Sequence, residues 1–167
     1  MRTGTEAGGQ AGKEFVIETV ADIDAVWPEL EPLLLGLIEY HQPWDNRTLK
    51  PDWATVIRSY MSGVDMTLIA RDSAGRAVGF VSGGVSDALI FSDITGHIDN
   101  IFVAEEARGQ GAGAALLSAF EAWCRERGAS EVRLEVNDAN ERGRGFWGDA
   151  GYRVSGLEMR RLLEARP

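Results

Sequence analysis

Three glycines within five residues, Gly109, Gly111 and Gly113, stand between an apolar run ending at Val103 and a long stretch of helical spacing, and this junction restricts the fold more than any other segment. Downstream, Leu116, Leu117, Phe120, Trp123 and Cys124 recur at three-and-four spacing, so one stripe of a helix seeks burial. Gly128, just after Arg125 and Arg127, is a natural stop for that helix. Val132, Leu134 and Val136 then alternate with charged residues as a strand does. A helical crossover between neighbouring strands places them parallel, whereas tight hairpins join antiparallel ones. The second half of the chain is therefore expected to hold a strand, a glycine turn, a crossover helix and a parallel strand.

Upstream, the pattern is that of a helical pair followed by a meander. Glu14 to Val20 alternates as a strand, with Phe15, Ile17 and Thr19 on one side, and Asp22 offers a helix cap before an apolar-periodic stretch to Tyr40. Pro28 and Pro32 interrupt that stretch and predict a kink or two short helices, with Leu33, Leu34, Leu37 and Ile38 facing the core. Residues 41–50 read as a loop, and Pro51 suits an early position of a helix reaching Met61. Met66 to Arg71 and Ala77 to Val85 form a hairpin about Gly75, and His97 to Val103 adds a third strand. Near the end, a short helix from Asn140 to Asp149 is weakened by Gly143, Gly145 and Gly148, at up to about 1 kcal/mol each. Tyr152 to Leu163 is expected to supply the last strands. The fold class is α+β: a mixed, mostly antiparallel sheet with one βαβ unit and helices on both faces. No internal repeat is present.

With 167 residues and 44% apolar content, one domain over residues 14–167 is expected, preceded by a disordered tail at residues 1–13 that has four glycines and little to bury. No stretch approaches the roughly 18 apolar residues of a membrane span, and the start lacks a secretory signal, so a soluble cytoplasmic protein without membrane partners is expected. A single cysteine, Cys124, excludes an internal disulfide and a cysteine-built metal site. The net charge of −9 opposes a phosphate backbone, which argues against nucleic acid and suits a cationic small molecule.

The glycine turn carries the chemistry. Gly109, Gly111 and Gly113 let backbone approach a ligand, and Gln110, Ala112 and Ala114 complete a surface of free amides at a helix start, where the dipole adds attraction for phosphate. Arg108 adds a full charge that either pairs with a phosphate or caps the loop. A Walker-type loop fails, because neither Lys-Ser nor Lys-Thr follows the glycines. The dinucleotide fingerprint is a closer rival, since Gly109-Gln110-Gly111-Ala112-Gly113-Ala114 fits it and Glu135 sits about twenty residues on. Against it, polar Ala104 to Arg108 separates the strand from the first glycine.

Ile101-Phe102-Val103, a spacer ending in Arg108, then Gly111 and Gly113 resemble the acetyl-CoA site of the GNAT N-acetyltransferase superfamily. Asn140, Trp147 seven residues on, and Gly151-Tyr152 resemble the family's later segment. The resemblance spans about Thr67 to Leu163, with Glu14 to Met61 agreeing in element order. It implies that the backbone of Ile101, Phe102 and Val103 pairs with pantetheine, that Gly109 to Ala114 bind its pyrophosphate, and that Asn140 and Trp147 border the cofactor, a plain helix cap and a core residue being their alternatives. It implies no metal, and a dimer is a common family arrangement.

For transfer to an amine, the resemblance implies that the amide of Val103, or of a neighbour at the strand's bulge, polarises the thioester carbonyl. Asp99 is the chosen base, with His97 in reserve; an ordinary solvent-facing residue is its bland alternative. Trp147 stands where the family commonly has a tyrosine acid, and indole is no practical acid, which leaves water or Tyr152 to protonate the thiolate. Cys124 lies on the apolar side of its helix, so direct transfer is expected. In the family the acceptor site involves the loop between the first two helices, here with Glu39, Tyr40, His41, Trp44 and Asp45, a mixture suited to a small amine. The alternatives are acetylation of protein N-termini or lysines, an inactive acyl-CoA sensor, and a dinucleotide-binding protein.

Overall fold

The computed structural model describes residues 14–45, 47–87, 93–159 and 161, so the expected tail at residues 1–13 lies outside the described residues. The chain divides into two compact units, one ending at Glu135 and one beginning at Val136. The first unit holds a five-stranded sheet ordered β1 (Val16–Thr19), β2 (Met66–Arg71), β3 (Ala77–Asp87), β4 (Ile94–Val103) and β5 (Ala129–Leu134). Neighbours from β1 to β4 are antiparallel, and β5 lies parallel to β4, as the crossover demands. Three helices accompany the sheet: α1 (Ile23–His41), α2 (Trp53–Met61) and α3 (Ala112–Glu126). The second unit contains α4 (Glu141–Asp149).

One face of the sheet packs on α1 and α2, the other on α3. Trp27, Leu30, Leu33, Leu34 and Leu37 of α1 are buried with Met61 of α2, Ile69 of β2 and Phe80 of β3. Residues one place along β3 turn the other way: a side chain on Gly79 would meet Leu116, and one on Gly83 would meet Phe120, both on α3. Asp22 caps α1 by accepting from the Asp24 amide at 2.9 Å. The prolines do not divide α1, which runs as one helix of 19 residues with Pro28 and Pro32 inside it. Five large buried side chains, at about 1.5–3 kcal/mol each, outweigh two prolines at about 3 kcal/mol each.

The last strands expected over Tyr152 to Leu163 are a second correction as far as residues 152–159 go, which form no strand; residues 160, 162 and 163 lie outside the described residues. Val154, Leu157 and Met159 are 81%, 88% and 93% exposed. Alternation supplies one apolar face, but a strand also needs a hydrogen-bonded neighbour, and none pairs with these residues among those described. Among the described residues no helix is long and apolar enough to cross a membrane.

Between β3 and β4 the register slips by one residue. Ser82 pairs with Asn100, yet the next residue, Gly83, pairs with Ile98, so Asp99 is an extra residue bulging from β4. Gly83 makes this possible, since a Cβ there would lie 2.0 Å from the His97 carbonyl oxygen and 2.9 Å from the Phe120 ring. We expect Gly83→Ala to cost about 1–3 kcal/mol, read as a lowered denaturant midpoint; an unchanged midpoint would show that the bulge does not need the glycine.

Candidate functional site

The site is organised by an edge of β4 that is unpaired among the described residues. Its pairing with β5 extends from Ile94 to Ile98 only, so residues 100–103 have no β5 partner. Ala104 donates its amide to Val78 O at 2.8 Å, which makes Ala104 and, two residues back, Phe102 the positions hydrogen-bonded to β3. Alternation then turns the backbone groups of Ile101 and Val103 away from β3, toward the open edge. Arg108 confirms this direction by donating from Nε to the Val103 carbonyl at 2.8 Å. An extended, amide-bearing molecule could pair along this edge as a strand would.

Following β4, a short 3-10 turn (Glu105–Ala107) leads into the glycine turn and α3. Gly109 and Gly111 have φ of +72° and +100°, a left-handed backbone that other residues adopt at a cost. Gly111 occupies the cap position of α3 and offers no side chain to its amides. Ala115 makes the first helical bond, to Gly111 O at 3.0 Å, which leaves the amides of Ala112, Gly113 and Ala114 without a helical acceptor. These amides at the positive end of a helix 15 residues long form an anion-binding surface. Gln110 turns its amide back to Glu106 O at 2.6 Å and so braces the turn.

Of the two roles open to Arg108, capping the loop is the one observed. Its guanidinium also lies 5.1 Å from the Tyr40 ring centre and 5.3 Å from that of Phe102, tying α1 to β4 and the turn.

Asp99, extruded by the bulge, points to the α2 side of the sheet. Its Oδ2 accepts a hydrogen bond from the Tyr60 hydroxyl at 2.8 Å, and its Oδ1 lies 3.9 Å from Nε2 of His97. Asp99 is thus neither a plain solvent-facing residue nor alone. Burial and the adjoining Asp99 push the Tyr60 hydroxyl up to about 12. Tyr60 escapes a reading of the sequence, because helical spacing in α2 reveals its face but not its partner 39 residues away. Asp65 lies close by, its carboxylate accepting from the Val85 amide at 3.1 Å.

The residues expected around the acceptor are only partly gathered. Tyr40, His41 and Trp44 form an aromatic group with ring centres 5.3–6.1 Å apart. Burial pulls the His41 imidazole below its ordinary value, against the opposing pull of Asp45. Asp45 holds Arg47, with Nε at 2.7 Å from Oδ1, so much of its charge is already matched. Glu39 is exposed.

In the second unit, Asn140 is buried and caps α4, accepting from the Gly143 amide at 2.9 Å. Trp147 is buried as well, edge-on to Phe146 and Tyr152 at 4.9 and 5.1 Å. These contacts are the structural roles of both residues, and their place beside a cofactor rests on the resemblance alone. Cys124 is 1% exposed, and burial pushes its thiol up to about 11.

The Acetyltransferase (GNAT) family model matches residues 27–152. No curated protein matches the sequence. Among solved structures, an acetyltransferase of Trypanosoma brucei is 22% identical with a TM-score of 0.64, covering 90% of this chain and 100% of its own. AAC(6')-Iy in complex with a bisubstrate analog, CoA-S-monomethyl-acetylneamine, is 16% identical with a TM-score of 0.71, over 91% of this chain and 99% of its own. Glucosamine-6-phosphate N-acetyltransferase of Arabidopsis thaliana is 16% identical with a TM-score of 0.64, over 91% and 100%. At these identities the likeness is one of fold. That fold also disposes of the dinucleotide reading, whose fingerprint belongs to a mostly parallel sheet, whereas β1 to β4 here are antiparallel.

Because Arg108 joins three elements, Arg108→Ala is expected to cost about 2 kcal/mol, from one charged hydrogen bond and two ring contacts. Arg108→Lys should recover little of it, since an ammonium lacks the planar fork. Denaturant titration of both variants checks this, and a wild-type midpoint in Arg108→Ala would refute it.

Proposed function

The chain belongs to the GNAT acetyltransferase family, and on that premise we propose that it moves the acetyl group of acetyl-CoA directly to a primary amine of a small cationic molecule. The observation that carries this reading is the open edge of β4, which runs from the glycine turn back to Asp99. GNAT acetyltransferases use acetyl-CoA, which supplies an activated acetyl thioester.

The residues present fit such a donor. The free amides of the turn and the α3 start suit a pyrophosphate, with Arg108 holding the loop in shape. Val103 and Ile101 suit the amides of pantetheine. Ile101 is the open-edge amide nearer Asp99, so it is the better placed of the two to donate to the thioester carbonyl, with Val103 holding the chain behind it. Asp99 takes a proton from the incoming ammonium and leaves a neutral nitrogen to form the new C–N bond as the C–S bond breaks. Trp147 cannot act as the acid that the family's tyrosine is, so water carries the second nitrogen proton, shed as the amide forms, to the departing thiolate.

Support for a small cation comes from the net charge of −9 and from Asp99, whose side chain is 25% exposed. Two neighbours of the same fold carry amino-sugar names, which places amino sugars with polyamines and amino acids in the panel to be tried. Asp45 is matched by Arg47, so recognition of the cation falls to Asp99 more than to the aromatic loop. Binding without turnover is the second reading, and Trp147 in place of the tyrosine is what favours it.

Thermal melting with acetyl-CoA at 100 times its dissociation constant should show about 2.7 kcal/mol of added stability, with NAD giving none. Thiol release is then followed with neamine, spermidine, lysine and a lysine-containing peptide. Release with a small amine, lost about 100-fold or more in Asp99→Asn, supports the proposal. Binding without release from any of them would leave the sensor reading, and release with the peptide alone would make the acceptor a protein.

Direct transfer has its own check. Cys124 should stay unreactive to thiol reagents at pH 8 in the native protein, because burial holds its proton. Acetylated Cys124 found by mass spectrometry during turnover would replace direct transfer with a two-step route.

A further inference from the structure

Asp99 has two carboxylate oxygens in different situations, and the difference assigns them different tasks. Oδ2 is engaged by the Tyr60 hydroxyl at 2.8 Å, while Oδ1 lies 3.9 Å from Nε2 of His97, beyond a direct hydrogen bond. Tyr60 is 47% exposed, and what holds its ring is its bond to Asp99 and the helix that carries it. It sits one residue before Met61, which is 1% exposed in the core, and α2 is clamped to α1 by the Arg58–Asp24 ion pair at 2.7 Å. Arg58 also lies over the Trp27 ring at 5.5 Å.

A fixed phenol that keeps its proton near neutrality donates to Oδ2 and does not compete for the substrate's proton. The oxygen left to receive that proton is Oδ1. Beside it stands His97, whose side chain is 43% exposed and so reaches water. Asp65 bounds the same corner, lying across Gly84 where a Cβ would be 2.5 Å from its Oδ2 and 3.1 Å from Cε1 of His97.

We propose that Tyr60 is a positioning residue for the acetyl transfer, holding Asp99 by Oδ2 so that Oδ1 faces the acceptor amine, and that His97 carries the proton from Oδ1 to water. This rests on the reading of Asp99 as base. In the step, the ammonium N–H bond breaks and an O–H bond forms at Oδ1. One water spanning the 3.9 Å gap relays the proton from Oδ1 to Nε2 of His97, from which it leaves to solvent, so Asp99 and His97 return to their starting states without any oxidant or reductant.

The test compares wild type with Tyr60→Phe and His97→Gln in thiol release from acetyl-CoA, using the best amine of the panel above and, separately, hydroxylamine, a nucleophile that is already neutral at pH 7.5. With the amine, Tyr60→Phe is expected to lower kcat about ten- to a hundredfold, with the KM for acetyl-CoA unchanged. With hydroxylamine the loss should shrink to less than about threefold, since no ammonium has to give up a proton before attack. His97→Gln should lose kcat with the amine in the same pattern and regain it on adding imidazole to the buffer.

A purely structural Tyr60 would lower the rate with both nucleophiles alike, and that result would overturn the proposal, as would wild-type kcat in Tyr60→Phe. Melting curves of both variants exclude misfolding. The contact is also read without turnover: in protein carrying 13C at the tyrosine Cζ, the Tyr60 signal, assigned from Tyr60→Phe, should move in Asp99→Asn, and a signal that stays in place would remove the premise. A wild-type protein that binds acetyl-CoA but releases thiol with neither nucleophile defeats the parent reading and this one together. Wild-type turnover with an unaffected Tyr60→Phe defeats this one alone.

Discussion

The bulge at Asp99 sets the direction of the surrounding groups, because an antiparallel ladder with one residue too many must turn one side chain out of step. That misfit sends Asp99 to the α2 side, where Tyr60 meets it. Gly83 accommodates the misfit, as its missing side chain leaves room for the His97 carbonyl. On the same strand, pairing with β5 ceases at Ile98, one residue before the bulge. The carboxylate and the start of the open edge thus lie at adjoining residues of β4.

The charges divide along the same strand. The chain carries a net charge of −9, yet its glycine turn ends in helix amides with no negative side chain among residues 107–115. An anion is drawn to that end by the amides and the helix dipole, while Asp99 and Asp65 offer negative charge at the other. Arg108 contributes less as a free cation than as a brace, since its guanidinium is committed to Val103 O and two rings. The two charge preferences thus sit at opposite ends of the segment that runs from β4 through the glycine turn into α3.

Local pattern made most of the architecture legible. Alternation located the strands to within a few residues, Asp22 marked the start of α1, and Gly75 and Gly128 marked turns that the backbone takes with positive φ. The two failures have physical causes that pattern does not encode. Pro28 and Pro32 allow a kink or two short helices, and of these the division into two is overturned, since burial through Trp27 to Leu37 carries α1 past both prolines. Residues 152–159 are expected to belong to the last strands, but a strand exists only with a partner edge.

What the sequence determined by itself is what short-range sterics and periodicity control: the glycine turn before a helix, the parallel crossover that follows, and a surface of amides fit for phosphate. Asp99 enters as a candidate base through the resemblance to the family, not through pattern. Tertiary structure alone decided which groups surround that carboxylate, because Tyr60 and Asp99 are 39 residues apart and meet only when α2 packs across the sheet. It likewise decided that Arg108 braces the loop and that Asp45 is matched by Arg47. Such pairings depend on distances across the fold, and side-chain type in a linear pattern carries no record of those distances.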